Sequence, residues 1–218
     1  MSGVGQAVFM NQRSFGPPPP GAIGSAYQGG FYAGDISTTA NGVATDYLIV
    51  GPLSTAQQTS LQWKNATSAT AGADSDIDGP QNTADMVADG NATVYPAAHF
   101  CNNLTIGGFS DWYMPANNEL EVCYYNLKPT TTNNQTGSGI NANAVPARAS
   151  NYTTGNPAQT SAAAFQSGGS EAFDAQNYWS STEFSATSGR RQFFGAGDQY
   201  NPFKTNAYRV RAVRRLAV

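Results

Sequence analysis

GGFSDWYMPANNELEVCYYNLKP, residues 107–129, carries the sharpest change of local pattern in the chain. Two glycines open a turn, Asp111-Trp112-Tyr113 forms an aromatic segment, and Pro115-Ala-Asn-Asn-Glu is a helix start signal. Leu120, Cys123, Tyr124 and Leu127 then recur at i, i+3, i+4 and i+7, the apolar stripe of an amphipathic helix, and Pro129 ends it. Just upstream, NTADMVAD (82–89) reads as a helix capped by Asn82 or Thr83. YPAAHFCNNL (95–104) reads as another, with Pro96 in its first turn.

Strand patterns flank these helices. YQGGFYAGDIS (27–37) alternates aromatics with glycines, and DYLIVGP (46–52) is a β-branched run stopped by Gly-Pro, with SLQWKNAT (60–67) as a plausible partner. After a low-complexity stretch at 130–151, expected to be a surface loop, comes a helix-like SAAAFQSGG (161–169). NYWSST (177–182), RRQFFGAG (190–197) and YRVRAVRR (208–215) then read as strands. Helices in the middle with strands at both ends predict an α+β domain whose termini pair in one sheet. Residues 1–26 differ from the rest: AVFMNQRSF leads into GPPPPG, where four prolines enforce polyproline II. We divide the chain into a 1–26 attachment segment with a stiff spacer and a 27–218 head.

Composition narrows the function classes. Hydrophobic residues make up 40 % of the 218, enough for a core, but charged residues only 11 %, against roughly a quarter in an average globular chain. Asn, Thr, Ser, Ala and Gly fill the gap, a balance common in loop-rich extracellular and virion proteins. Arg190, Arg191, Lys204, Arg209, Arg211, Arg214 and Arg215 crowd the C-terminal end, whereas most acids lie between Asp35 and Glu121. The arginines alternate with Val210, Ala212 and Val213. We therefore expect a strand that pairs with the acidic half of the fold, and no nucleic-acid partner. MSGVGQAVFMNQ lacks the basic and apolar regions of a secretory leader, and no stretch is long enough for a membrane helix, so no membrane insertion is expected. Cys101 and Cys123 are either one disulfide or two buried thiols.

In order along the chain, GGFYAG, DGPQNT, the 95–129 segment, PAQTSAAAFQSGGSEAF, YWSSTE and the closing YRVRAVRR resemble the Lcl C-terminal domain family. That family is named for the head of a bacterial collagen-like adhesin and is frequent in phage tail and fibre proteins. The resemblance runs from Tyr27 to Arg215 and implies a C-type-lectin-like head: a small twisted antiparallel sheet, two to three helices, and long loops that carry ligand contacts. It also implies stalk-borne, often trimeric assembly, and recognition in place of catalysis. Tyr113-Met114 stand where the family usually has DWRLP, which removes an arginine and puts any salt bridge it makes in doubt.

Ser180, Ser181 and Thr182 lack a nucleophile elbow, and the single histidine, His99, lies on a separate helix pattern. Trp179 beside them is expected to be core. Glu119 and Glu121, at i and i+2, diverge on a helix. Pairing of Glu119 with a C-terminal arginine is expected in preference to a glycosidase carboxylate pair. Asp74, Asp76, Asp78, Gly79 and Asp85 fall at positions 1, 3, 5, 6 and 12 of a calcium loop, although no helix precedes them and Pro80 stiffens the second half. The competing reading is a solvated turn that caps the next helix. Calcium is the one cofactor considered.

The candidate ligand surface is EFSATSGRRQFFGAGDQYNPFKTNAY (183–208), where Arg190, Arg191, Gln199, Tyr200, Asn201, Phe203 and Lys204 mix aromatics, cations and amides among glycines. The expectation is a non-enzymatic virion protein, a phage tail or head fibre. It would bind other virion proteins through residues 1–26 and a host-surface glycan or protein through a trimeric head. The alternative is a purely structural capsid decoration or collar component.

Overall fold

Alternation of apolar and charged residues over Tyr208–Arg215 produces one long C-terminal strand that serves two sheets. The computed structural model describes residues 17–218. Its strands are β1 (Ala26–Tyr27), β2 (Gly30–Ile36), β3 (Asp46–Val50), β4 (Gln57–Gln62), β5 (Ala144–Val145), β6 (Asn177–Glu183), β7 (Gly189–Phe193), β8 (Gln199–Tyr200), β9 (Ala207–Arg211) and β10 (Val213–Ala217). Its helices are α1 (Leu53–Ala56), α2 (Gly79–Asp89), α3 (Pro96–Asn102) and α4 (Asn117–Leu127), with a single 3-10 turn at Ala163–Phe165 where a small helix was expected. The first sheet has the order β1-β2-β3-β10 with β5 also on β2, and the second the order β4-β9-β6-β7-β8. Every pairing is antiparallel except β6 with β9. The class is α+β, and the N-terminal and C-terminal strands meet as expected, β10 lying against β3.

Between β9 and β10, Ala212 passes the chain from one sheet to the other. Its N–H donates to Ala56 O and its carbonyl accepts from Gly51 N, each at 2.9 Å. A Cβ at Gly51 would stand 2.3 Å from the Ala56 methyl, so the close approach of the two sheets requires glycine there. One core cluster gathers Leu48, Val50, Leu120, Tyr124, Phe173 and Phe194 between the first sheet and α4. A second gathers Trp63, Trp112, Trp179, Met86 and Cys101 around α2, α3 and the second sheet. Cys101 and Cys123 are both free and buried, one in each cluster, and burial pushes both thiols up.

Four expectations are corrected. SLQWKNAT does not pair with DYLIVGP: β4 lies against β9 in the other sheet, because α1 turns the chain away immediately after Pro52. Helix α2 begins at Gly79, with Asp78 as its cap accepting from Gln81 N at 3.3 Å. Asn82 and Thr83 are buried inside the helix. The 130–151 stretch is no simple surface loop, since Asn134, Ser138, Asn141 and Asn143 are buried and β5 pairs with β2. Finally, the division at residue 26 falls within β1. Tyr27 Oη donates to Pro18 O at 2.9 Å, and Gly24 and Ser25 exchange backbone bonds with Tyr32, so these residues belong to the head. The attachment segment expected over 1–26 otherwise lies, at 1–16, outside the described residues. Among the described residues, no helix is long and apolar enough to cross a membrane.

Helix α4 is locked to the C-terminal strand by one buried carboxylate. Glu119, with no solvent exposure, accepts from Tyr113 Oη (2.5 Å), Ala116 N (2.8 Å) and Arg215 Nε (2.7 Å), while the Arg215 guanidinium also donates to Ile77 O. The expected pairing of Glu119 with a C-terminal arginine is therefore present. Tyr113, at the position where the family usually has arginine, supplies a hydroxyl to the same carboxylate. Glu119→Ala should lower stability by about 3–5 kcal/mol, since it leaves the Arg215 charge buried without its partner. Glu119→Leu with Arg215→Met should restore much of that loss, as read by denaturant unfolding.

Candidate ligand surface

The hydroxyl run after Trp179 faces inward. Trp179 is fully buried and its Nε1 donates to Leu61 O at 3.0 Å. Ser180 Oγ donates to Arg190 O (3.1 Å), Ser181 Oγ accepts from Asn82 Nδ2 (3.2 Å), and Thr182 Oγ1 donates to Ser75 O (2.9 Å) while accepting from Asn117 N (2.9 Å). These hydroxyls bind the 73–78 loop, α2 and α4 to β6. His99 is engaged elsewhere, with Nε2 2.6 Å from Gly90 O. Glu119 and Glu121 diverge from α4. Glu121 accepts from Tyr152 Oη (2.7 Å), Asn141 Nδ2 (2.5 Å) and the Arg148 guanidinium, tying the 141–152 loop to the helix.

Asp76, Asp78 and Asp85 of the 74–85 stretch have structural partners of their own. Asp78 caps α2, Asp85 accepts from Gln81 Nε2 at 2.9 Å, and Asp76 lies 3.3 Å from Arg190. Among the described residues, no three His, Cys, Asp or Glu side chains are grouped to hold a metal ion, so Asp74, Asp76, Asp78 and Asp85 do not converge. The loop opens into a helix at Gly79 instead of curling around a centre. Burial raises the Asp76 carboxyl, offset in part by the Arg190 charge and reinforced by Asp74.

The 183–208 segment forms the β6–β7–β8 meander and the turn leading into β9. A groove of about 530 Å³ opens here, lined by Ser188, Arg191, Tyr200, Asn201, Pro202, Phe203, Asn206 and Tyr208. Tyr200 and Phe203 are 65 % and 60 % exposed, the most accessible aromatic rings among the described residues. Tyr200 projects from the two-residue edge strand β8 opposite Arg191, whose guanidinium carbon lies 5.7 Å from the ring centre. Arg191 in turn is paired with Asp198 at 2.6 Å. Phe203 is held by a bridge to Ser188, and Tyr208 packs on Trp179 with ring centres 4.8 Å apart.

Four of the seven residues chosen from sequence, Arg191, Tyr200, Asn201 and Phe203, meet in this groove. Three do not. Arg190 alternates to the opposite face of β7, over the Phe184 ring and beside Asp76. Gln199 turns toward α4, its Nε2 3.4 Å from Asn117 Oδ1. Lys204 has no solvent exposure: its Nζ donates to Glu183 (2.8 Å) and Ser68 O (2.9 Å) and lies 4.6 Å from the Trp63 ring centre. Desolvation lowers the Lys204 ammonium, offset in part by Glu183. Ser188, Pro202, Asn206 and Tyr208 complete the groove and were missed. No strand alternation links Tyr200 to Tyr208, because the chain turns between β8 and β9, so neither Tyr208 nor Ser188 carried a local signal.

Lys204 thus anchors the turn that carries Phe203, with its ammonium turned inward, away from the groove. Lys204→Met should lower stability by about 3–5 kcal/mol by leaving Glu183 partly buried without its cation. Ligand binding well below the melting temperature should change little, and a selective loss of binding at full stability would contradict this role.

Comparison with known proteins follows this geometry. No curated protein matches the chain. Among solved structures the chain is similar to a fimbrial protein from Bacteroides ovatus ATCC 8483, at 15% sequence identity and a TM-score of 0.43. The similarity covers 81% of this chain and 36% of that one, so this chain spans well under half of its length. The Lcl C-terminal domain family matches residues 54–214, and the strands β1–β3 that precede the matched stretch complete its first sheet. With most of its length matched, the chain belongs to the Lcl C-terminal domain family.

Proposed function

We propose that this protein is a non-enzymatic recognition head, C-type-lectin-like in fold, that sits on a virion as a tail-fibre or head-fibre component and binds a host-surface glycan. Residues 1–26 would join it to other virion proteins, and three copies would form the working unit. The observation that carries the reading is the exposure of Tyr200 (65 %) and Phe203 (60 %) beside the amides Asn201 and Asn206 at one groove. Large aromatic rings are usually withdrawn from water unless a partner covers them, and aromatic faces with adaptable amides are what recognition surfaces use. The hydroxyls of β6 and the carboxylates Glu119 and Glu121 are taken up by structural bonds, which supports recognition over catalysis.

Tyr200→Ala with Phe203→Ala should reduce binding of the purified protein to host cells by at least roughly tenfold. Thermal stability should shift little, because neither ring is buried. A sedimentation measurement should give three times the mass of the chain. Undiminished cell binding, with a loss of incorporation into particles, would instead favour a structural decoration or collar component.

A further inference from the structure

We infer that the Tyr200–Phe203 groove selects an uncharged saccharide that stacks a pyranose C–H face on these rings, and that it discriminates against acidic or sulfated sugars. This inference rests on the recognition role proposed above. The 183–208 segment looks cationic in sequence, with Arg190, Arg191 and Lys204, yet each cation already has a carboxylate. Arg191 is 2.6 Å from Asp198, Arg190 is 3.3 Å from Asp76, and Lys204 is 2.8 Å from Glu183, while Arg209 on the adjoining strand is 2.7 Å from Asp174. An anionic ligand would have to compete with Asp198 for the Arg191 guanidinium, the only cation among the described residues that lines the groove. The face is therefore electrically neutral where the composition suggested a basic patch, and it offers no unspent charge to steer an anion.

What remains accessible is apolar and amide. The Tyr200 ring has Arg191 beside it, with the guanidinium carbon 5.7 Å from the ring centre. Phe203 lines the same groove, its backbone bridged to Ser188. Asn206 Nδ2 is 3.2 Å from Tyr208 Oη, and its carbonyl oxygen has no partner among the described residues. The Asn201 amide is likewise unpartnered among the described residues. An amide offers donors and an acceptor together, which matches the mixed capacity of sugar hydroxyls and not the acceptor-only edge of a sulfate or carboxylate. The groove's volume of about 530 Å³ falls within the roughly 300–1,000 Å³ of small-ligand clefts.

The test is a glycan panel of neutral hexose and N-acetylhexosamine oligosaccharides against uronate, sialylated and sulfated ones, read with the full-length protein at low and high salt. Binding to host cells before and after periodate oxidation of their surface runs in parallel. Neutral glycans should bind with affinity that varies less than about twofold with salt. Tyr200→Ala and Phe203→Ala should each weaken them at least roughly tenfold. Capture of anionic glycans alone, with affinity falling steeply with salt, would overturn the neutral class and leave recognition standing. Cell binding that is lost in Tyr200→Ala but survives periodate would mean a protein ligand, and would overturn the saccharide. Absence of cell binding by the wild-type protein would overturn the recognition reading itself.

Discussion

A carboxylate with no solvent exposure needs partners on every side, and Glu119 finds them at three places along the chain, with a fourth reached through Arg215. Tyr113 comes from the aromatic segment, Ala116 from the start of α4, and Arg215 from the last strand, which in turn reaches Ile77 ahead of α2. Removing such a charge from water costs several kcal/mol, recovered only if the geometry is complete. The cluster therefore forms only when these four pieces are assembled together, and it fixes the register of the C-terminal strand against the helix. Gly79 is part of that closure, since a Cβ there would stand 2.3 Å from Glu119 Oε2. Because Ala212 carries the same strand into the second sheet, the register set by Arg215 also sets the positions of β9 and the strands beside it.

The low charge content takes on a structural meaning from this arrangement. Instead of surface ion pairs, the long connections are held by buried amides, hydroxyls and single charges. Lys128, barely exposed, donates to Thr132 O, Asn134 Oδ1 and Pro157 O at 2.6, 2.7 and 3.1 Å, closing the 130–157 excursion on itself with no carboxylate among those partners. Glu121 does the same for 141–152, and Lys204 for the turn after Phe203. Each is a buried polar hub whose capacity is met by backbone or side-chain partners, the condition under which such groups rigidify a fold. Loops that look free in sequence are thereby made into fixed surfaces.

Legibility follows the range of the interactions. Helix α4 was readable because its stripe and its prolines are local signals, and the strands near the C-terminus because their alternation is local too. The pairing of Glu119 with a C-terminal arginine was readable from charge asymmetry alone. The partner of β4 was not, since an uncharged QQTSLQ edge carries no register information and only the turn at Pro52–Ala56 redirects it. The aspartate loop was misleading for a related reason. Its spacing matches a calcium loop, but Asp78 is used as a helix cap, and spacing cannot distinguish a carboxylate that caps from one that coordinates. Lys204 was misplaced because sequence treats a lysine as a surface residue, whereas here Glu183, Ser68 and the Trp63 ring provide for its burial. Low complexity at 130–151 hid Asn141 and Asn143, whose roles depend on acceptors far along the chain.

The groove combines the two kinds of signal. Its rings were identified in sequence, but its charge was not, because the acids that neutralise the segment lie both inside it, at Asp198 and Glu183, and outside it, at Asp76 and Asp174. Local net charge is thus a poor guide to the potential a ligand meets. What matters is whether each cation has a carboxylate within a few ångströms, where their fields cancel at the distance of an approaching molecule. The paired guanidiniums also lie by aromatic rings, Arg190 5.4 Å from the Phe184 centre and Arg191 5.7 Å from that of Tyr200. Substitutions at the exposed Tyr200 or Phe203 change the groove's surface without touching the bonds of the buried Lys204 anchor. The groove's surface is thereby separated from the bonds that hold the turn, and the same scaffold can present different side chains there at little cost in stability.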